Sequence, residues 1–254
     1  MKYPELEKLI DIVATLRSEN GCQWDREQTH QSLRPNMLEE AYEAVDAIDE
    51  NNMENLREEL GDVLLQVVLH AQIAKDNNTF DIEDVAKELS NKLIYRHPHV
   101  FGNAKVNSTK EILDTWDRLK KEEKSDRKSV LDGVSKSQSA LMAAQKISKK
   151  VVKVGFEWDS EKSLKECIES EYNEFEEAVQ AGNYDLMEDE MGDIFFATVN
   201  LARWHKIDAE QALLRANKKF TKRFKKMEEL ANKPLEEYSY EEYDVLWRQA
   251  KKLV

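Results

Sequence analysis

The sequence predicts an all-α protein of two tandem homologous helical domains, each built around an acidic antiparallel helix hairpin. Three observations predict it. The 254 residues include only seven Gly and four Pro while 35% are charged, which suits long helices better than many short strands. Apolar residues recur at helical spacing along much of the chain. A distinctive residue set also occurs twice: Glu40, Glu43, Glu59, Gly61 and Asp62 return as Glu171, Glu174, Glu190, Gly192 and Asp193 at one offset of 131. Trp116 and Lys120 return at that offset as Trp247 and Lys251. Gly21-Cys22-Gln23-Trp24-Asp25 returns as Gly155-Phe156-Glu157-Trp158-Asp159 at an offset of 134, a slip that a loop absorbs.

In the first half, Leu38, Ala41, Val45 and Ile48 form an apolar stripe at helical spacing, with Pro35 near its start and Asn51-Asn52 as the breaker. From Glu54 onward, Leu56, Leu60, Val63, Leu64, Val67, Val68 and Ala71 run around much of the circumference, so the second helix is expected to be largely buried. The second half repeats this plan with Ile168 to Val179, a turn at Ala181-Gly182-Asn183, and Leu186 to Trp204. Further helices are expected over Ile82 to Tyr95, Lys110 to Lys121, Ala209 to Leu230 and Tyr240 to Lys251. Trp24 and Trp158, each followed by Asp at a helix entry, read as structural residues with a capping neighbour. The domains are placed at residues 1–124 and 140–254, joined by the charged, serine-containing linker 125–139.

A net charge of −13 disfavours nucleic acid and anionic membrane surfaces, so no direct nucleic-acid binding is expected and any phosphate ligand needs locally placed cations. The most apolar stretch, Val63 to Ala74, is interrupted by Gln66, His70 and Gln72 and is shorter than the roughly 20 residues a spanning helix needs. Cys22 and Cys167 make neither a disulfide framework nor a structural zinc site, and a polar start follows Met1, so the expected location is cytoplasmic.

The repeated acids carry the chemistry. Glu40 and Glu43 stand at i and i+3 on one helix face, as do Glu59 and Asp62 on the next. In an antiparallel hairpin, residues equidistant from the turn come level. Glu40 and Asp62 lie eleven residues on either side of Asn51, and Glu43 and Glu59 lie eight; around Gly182 the same intervals place Glu171 with Asp193 and Glu174 with Glu190. Four crowded carboxylates repel one another and need protons or a cation, and their oxygens suit a hard ion such as Mg²⁺, with Mn²⁺ as a substitute. A di-iron site would want Glu-x-x-His pairs, which the repeated set lacks. His70 shares a face with Asp62 and Gln66, but its counterpart is Leu201, so it reads as structural. Gly61 and Gly192 each cost their helix about 1 kcal/mol relative to Ala, and the expected return is close approach of helix backbones beside the acidic layer.

Sites made only of carboxylates commonly use Mg²⁺ to bridge protein and phosphate oxygens. Lys219, Lys222, Arg223 and Lys226 share one helical face in the second half, while the first half has Lys92 and Arg96 at the spacing of Lys219 and Arg223. The second half is therefore the better equipped for a triphosphate. Trp116 and Trp247 either anchor the last helix of each half or stack on a nucleobase.

Glu39-Glu40-x-x-Glu43 followed by Glu58-Glu59-Leu60-Gly61-Asp62 resembles the MazG-type all-α nucleoside triphosphate pyrophosphohydrolases. Gly21 to Asp25, Arg96-His97-Pro98-His99-Val100-Phe101, Leu131-Asp132-Gly133-Val134 and Val154 to Trp158 resemble landmarks of the two-domain members, so the resemblance covers nearly the whole chain. It implies Mg²⁺-dependent hydrolysis of nucleoside triphosphates between the α and β phosphates, and a homodimer. It also implies that Glu171, Glu174, Glu190 and Asp193 are the catalytic metal ligands of one site and Glu40, Glu43, Glu59 and Asp62 those of the other. Lys219, Lys222, Arg223 and Trp247 would contact the nucleotide, with Glu39, Lys92, Arg96 and Trp116 as the candidates of the first half. Ser170 departs from the pattern, standing where the first half has Glu39. If that glutamate positions the attacking water, activity falls to the first site; if triphosphate binding limits the rate, it falls to the second, which is the reading favoured. A phosphoribosyl-ATP or deoxynucleotide-specific pyrophosphohydrolase and a non-catalytic, metal-stabilised helical module are the alternatives.

Overall fold

A computed structural model describes residues 3–106, 108–123 and 128–254, which contain helices and turns and no strand. The chain divides into two compact units, Met1–Ser125 and Asp126–Val254. The predicted domain end at 124 and the linker residues 125–127 lie outside the described residues.

The first unit comprises α1 (Pro4–Leu16), α2 (Gln23–Glu27), α3 (Arg34–Asp49), α4 (Met53–Asp76), α5 (Ile82–Arg96), α6 (Pro98–Phe101) and α7 (Thr109–Glu122). Helices α3 and α4 form the expected hairpin. Its turn is set by Asn51 at φ 54° and by Asn52, whose side chain caps α4 by accepting from the Asn55 amide at 3.1 Å. α1 packs on the far half of α4, and Val13, Leu33, Val68, Leu69 and Ile73 make the core there. The near half of α4 is less covered than its composition predicts: Leu60 and Leu64 are exposed, as are Leu38 and Tyr42 on α3. Arg17 ties the loop after α1 to the end of α4, pairing with Asp76 at 2.8 Å and donating to the Asp25 and Gln28 carbonyls.

The second unit comprises α8 (Ala140–Val152), α9 (Glu161–Ala181), α10 (Tyr184–Trp204), α11 (Ala209–Leu230), a 3-10 turn at Leu235–Glu237 and α12 (Tyr240–Leu253). Gly182 at φ 64° turns the α9–α10 hairpin, and Asn183 caps α10 as Asn52 caps α4. α9 begins well before the predicted Ile168, because Ser160 and Ser163 form a capping box that starts the helix at Glu161. α8 packs against α10 and the start of α11. The buried Ser148 hydroxyl donates to the Asn200 side chain, and Gln145 donates to the Ile207 carbonyl at 2.6 Å while accepting from the Ala209 amide at 3.0 Å. Residues 128–139 belong to this unit, and Lys150 holds them by donating to the carbonyls of Val130 and Asp132.

Two smaller expectations change. Trp24 is exposed inside α2, and Asp25 lies within that helix rather than capping it. Asp159 sits one residue before the true cap, Ser160, and accepts from the Ser160 and Ser163 hydroxyls, which hold its carboxyl below the usual range.

Candidate metal centres

Each hairpin converges its acids. Oxygens of Glu40, Glu43 and Glu59 lie within 4.8 Å of one another, and so do those of Glu171, Glu174 and Glu190. The level pairing holds in the electrostatics. After partial burial, the strongest influence raising the Glu40 carboxyl is Asp62, and the strongest raising Glu59 is Glu43. Glu190 is likewise raised by partial burial and then by Glu174, followed by Asp193 and Glu171. Asp62 and Asp193 therefore act on their clusters by charge, although neither is among the three closest groups.

The donor chemistry fits a hard cation. Each cluster offers carboxylate oxygens without histidine or thiolate, and its three oxygens lie within 4.8 Å of one another, near enough to be shared by one such ion. Because the ligands come from both helices of a hairpin, an ion would bridge them.

The surroundings of the two clusters differ. Ser170 donates from its hydroxyl to Glu174 Oε1 at 3.0 Å, and the Cys167 thiol lies 3.6 Å from Glu171 Oε1. Burial, then that hydrogen bond and the neighbouring carboxylates, pushes the thiol up, so it stays protonated. Sequence reasoning marked Ser170 but missed Cys167, because the first half has Asn36 at the equivalent place and nothing repeated drew attention to it. Glu39, by contrast, is exposed.

Gly61 and Gly192 do not meet the expectation placed on them: a Cβ at either would find nothing within 4 Å, so no described residue of the chain approaches there. Both glycines lie on the open side of their hairpins. His70 is paired with His30, the Nδ1 atoms 2.8 Å apart and the rings stacked at 5.1 Å.

The cationic residues also part company. Lys219 and Lys222 are exposed on α11, Arg223 is half-buried, and none of the three forms an ion pair among the described residues; Lys226 pairs with Glu229 at 2.7 Å. Trp247 packs on Phe220 at 5.2 Å and lines a cavity of about 300 Å³ with Phe224, Tyr240 and Tyr243. In the first unit Lys92 pairs with Glu88, and Arg96 is 8% exposed, bound through Nε and Nη2 to Glu123 and lying 5.5 Å from the Trp116 ring.

Twinned helix hairpins, each converging three glutamates with an aspartate beside them, define a class of all-helical proteins suited to holding divalent cations. The family model described as "MazG nucleotide pyrophosphohydrolase domain" matches residues 28–101 and 159–228, one stretch per unit. The chain is 46% identical over 249 residues to the nucleoside triphosphate pyrophosphohydrolase/pyrophosphatase MazG of Thermotoga maritima, covering 96% of this chain and 95% of that one. It is 40% identical over 259 residues to the nucleoside triphosphate pyrophosphohydrolase of Escherichia coli, covering 98% and 97%. The chain belongs to the MazG nucleotide pyrophosphohydrolase family.

Proposed function

We propose that the protein is a Mg²⁺-dependent nucleoside triphosphate pyrophosphohydrolase, converting a nucleoside triphosphate and water to the nucleoside monophosphate and diphosphate. The observation that carries it is the converging carboxylate cluster inside each of the two matched stretches of a chain similar over nearly its whole length to named pyrophosphohydrolases. Glu171, Glu174, Glu190 and Asp193 hold the ion of the working site, and Glu40, Glu43, Glu59 and Asp62 that of the other. A bound Mg²⁺ neutralises triphosphate charge and lowers the pKa of a coordinated water.

The rest is the work of the chain. The hairpin geometry fixes the ligands before the nucleotide arrives, and the Ser170 hydroxyl orients Glu174. Lys219, Lys222 and Arg223, with no ion pairs among the described residues, carry the phosphate oxygens. Trp247 takes the base at the aromatic cavity, which is lined further by Phe220, Tyr240 and Tyr243.

A homodimer accords with the open sides of the hairpins. Leu38 and Leu64 stand level across the first hairpin, as do Tyr42 and Leu60, and all four are exposed. A second copy laid there covers them and gives Gly61 the neighbour it lacks. No described helix is long and apolar enough to cross a membrane, and a cytoplasmic location goes with the two cysteines lying outside any disulfide.

The test is pyrophosphate release from a panel of canonical and modified nucleotides by Glu174→Gln, Asp193→Asn, Glu43→Gln and Asp62→Asn. The second-unit variants lose activity by a factor of a hundred or more, on the order of the loss of an essential electrostatic group. Full activity in all four refutes the metal assignment.

A further inference from the structure

The helix after each hairpin, α5 in the first unit and α11 in the second, can be aligned by superposing their caps in sequence. Asp81 caps α5 and Asp208 caps α11, an offset of 127 that places Lys92 at Lys219 and Arg96 at Arg223. The last helices align through Trp116 and Trp247 at 131, which places Glu123, just past the end of α7, at Val254, just past the end of α12.

The same arginine therefore meets opposite surroundings. In the first unit Arg96 is buried with its Nε 2.8 Å from Glu123 Oε2, its Nη2 on the same oxygen, and the Trp116 ring beside it. In the second unit the side chain aligned with Glu123, that of Val254, is aliphatic, and the buried Nε of Arg223 has no hydrogen-bond partner among the described residues. The neighbours follow the same division. Lys92 is held at 3.7 Å by Glu88, whose counterpart is Arg215, and Tyr95, bonded to Glu122 at 3.3 Å, stands where the second unit has Lys222. A carboxylate already bonded through two nitrogens of a guanidinium occupies the donors that a phosphate would use.

We infer that Glu123 is the specificity-determining residue that closes the first unit to triphosphates: it fills the anion position at Arg96 that the second unit leaves open at Arg223. Both acidic layers bind Mg²⁺, but one triphosphate binds per chain. The inference rests on the function proposed above, and it is supported by Arg223 having no anionic partner among the described residues where Arg96 has Glu123.

Binding of α,β-methylene-ATP with Mg²⁺ to the full chain by calorimetry tests it. The expected stoichiometry is one per chain for the wild type and two for Glu123→Val, with the added site weaker by about tenfold or more because Tyr95 replaces a lysine. Removing the partner of a buried arginine is destabilising, so the reciprocal change provides a second test: Val254, 54% exposed, carries little packing. Val254→Glu is expected to raise the KM for pyrophosphate release about tenfold with kcat little changed, the effect shrinking in high salt, while Val254→Gln leaves KM as it was. A stoichiometry of one in a folded Glu123→Val chain together with an unaltered KM in Val254→Glu overturns this inference alone. A wild type that neither binds the analogue nor releases pyrophosphate overturns the proposed function, and this inference with it.

Discussion

Mg²⁺ and, in its absence, the neutralising substitutions Glu59→Gln and Glu190→Gln are each expected to raise thermal stability, and the substitutions to remove the gain from Mg²⁺. Each cluster draws three oxygens within 4.8 Å from two helices, so the site exists only when its hairpin is folded, and an ion bound there stabilises the folded state by linkage. At a hundred times the dissociation constant that gain is about 2.7 kcal/mol. A unit of about 130 residues unfolds with an entropy near 0.27 kcal/mol per kelvin at its midpoint, so the gain corresponds to about 10 °C. Without metal the substitutions are stabilising as well. Glu59 and Glu190 are raised above the usual carboxylate range by partial burial and by their acidic neighbours, so replacing either with a neutral amide relieves repulsion and raises the metal-free midpoint. The assay is calorimetric melting of the full chain in chelator and in Mg²⁺, with Ca²⁺ and Mn²⁺ in parallel. The wild type should gain about 10 °C on adding Mg²⁺, and each variant should start higher yet lose most of the gain from its own unit. A wild type unmoved by Mg²⁺, or variants that gain as much as the wild type, would refute the reasoning.

Three further outcomes are expected. Burial, then the charge of His30, lowers the His70 pKa below the ordinary 6.5, so the unfolded chain binds more protons below that pH. The pair's contribution is whole above pH 6.5 and disappears as pH falls through the lowered value; the wild-type midpoint is expected to fall between pH 7 and pH 5, and His70→Gln to flatten that fall. Leu164, fully buried in the second unit, should cost about 2.7 to 5 kcal/mol when truncated in Leu164→Ala, lowering that unit's melting by about 10 °C or more. Leu64→Lys places a charge on the exposed apolar side of the first hairpin and should shift the sedimentation coefficient from dimer to monomer without lowering helicity by circular dichroism.

The hairpins and their acidic layers were legible in the sequence because their determinants are local and periodic. Helical spacing decides which acids share a face, and equal distances from Asn51 and Gly182 decide which come level, so the pairing of Glu43 with Glu59 followed from numbering alone. The caps that start α4 and α10 are likewise local asparagines. Helices α1 and α8 were harder to read, since they carry none of the repeated acids and their partners, α4 for the one and α10 and α11 for the other, lie far away in sequence or are not marked by any local signal. The role assigned to Gly61 and Gly192 failed for a related reason: a helix glycine signals that something comes near, not which molecule supplies it.

By itself the sequence determined the fold class, the duplication and the composition of both carboxylate layers. Only the tertiary structure decided which of the candidate cations are already paired with a carboxylate among the described residues. Arg96 and Arg223 stand at equal distances from the caps Asp81 and Asp208, and the spacing from those caps does not separate them. The difference comes from a carboxylate 27 residues further along the chain, brought onto Arg96 by the packing of α7 on α5, at a position where the second unit carries a valine. An ion pair of that kind depends on where two helices meet in space, and so it is settled by packing rather than by periodicity.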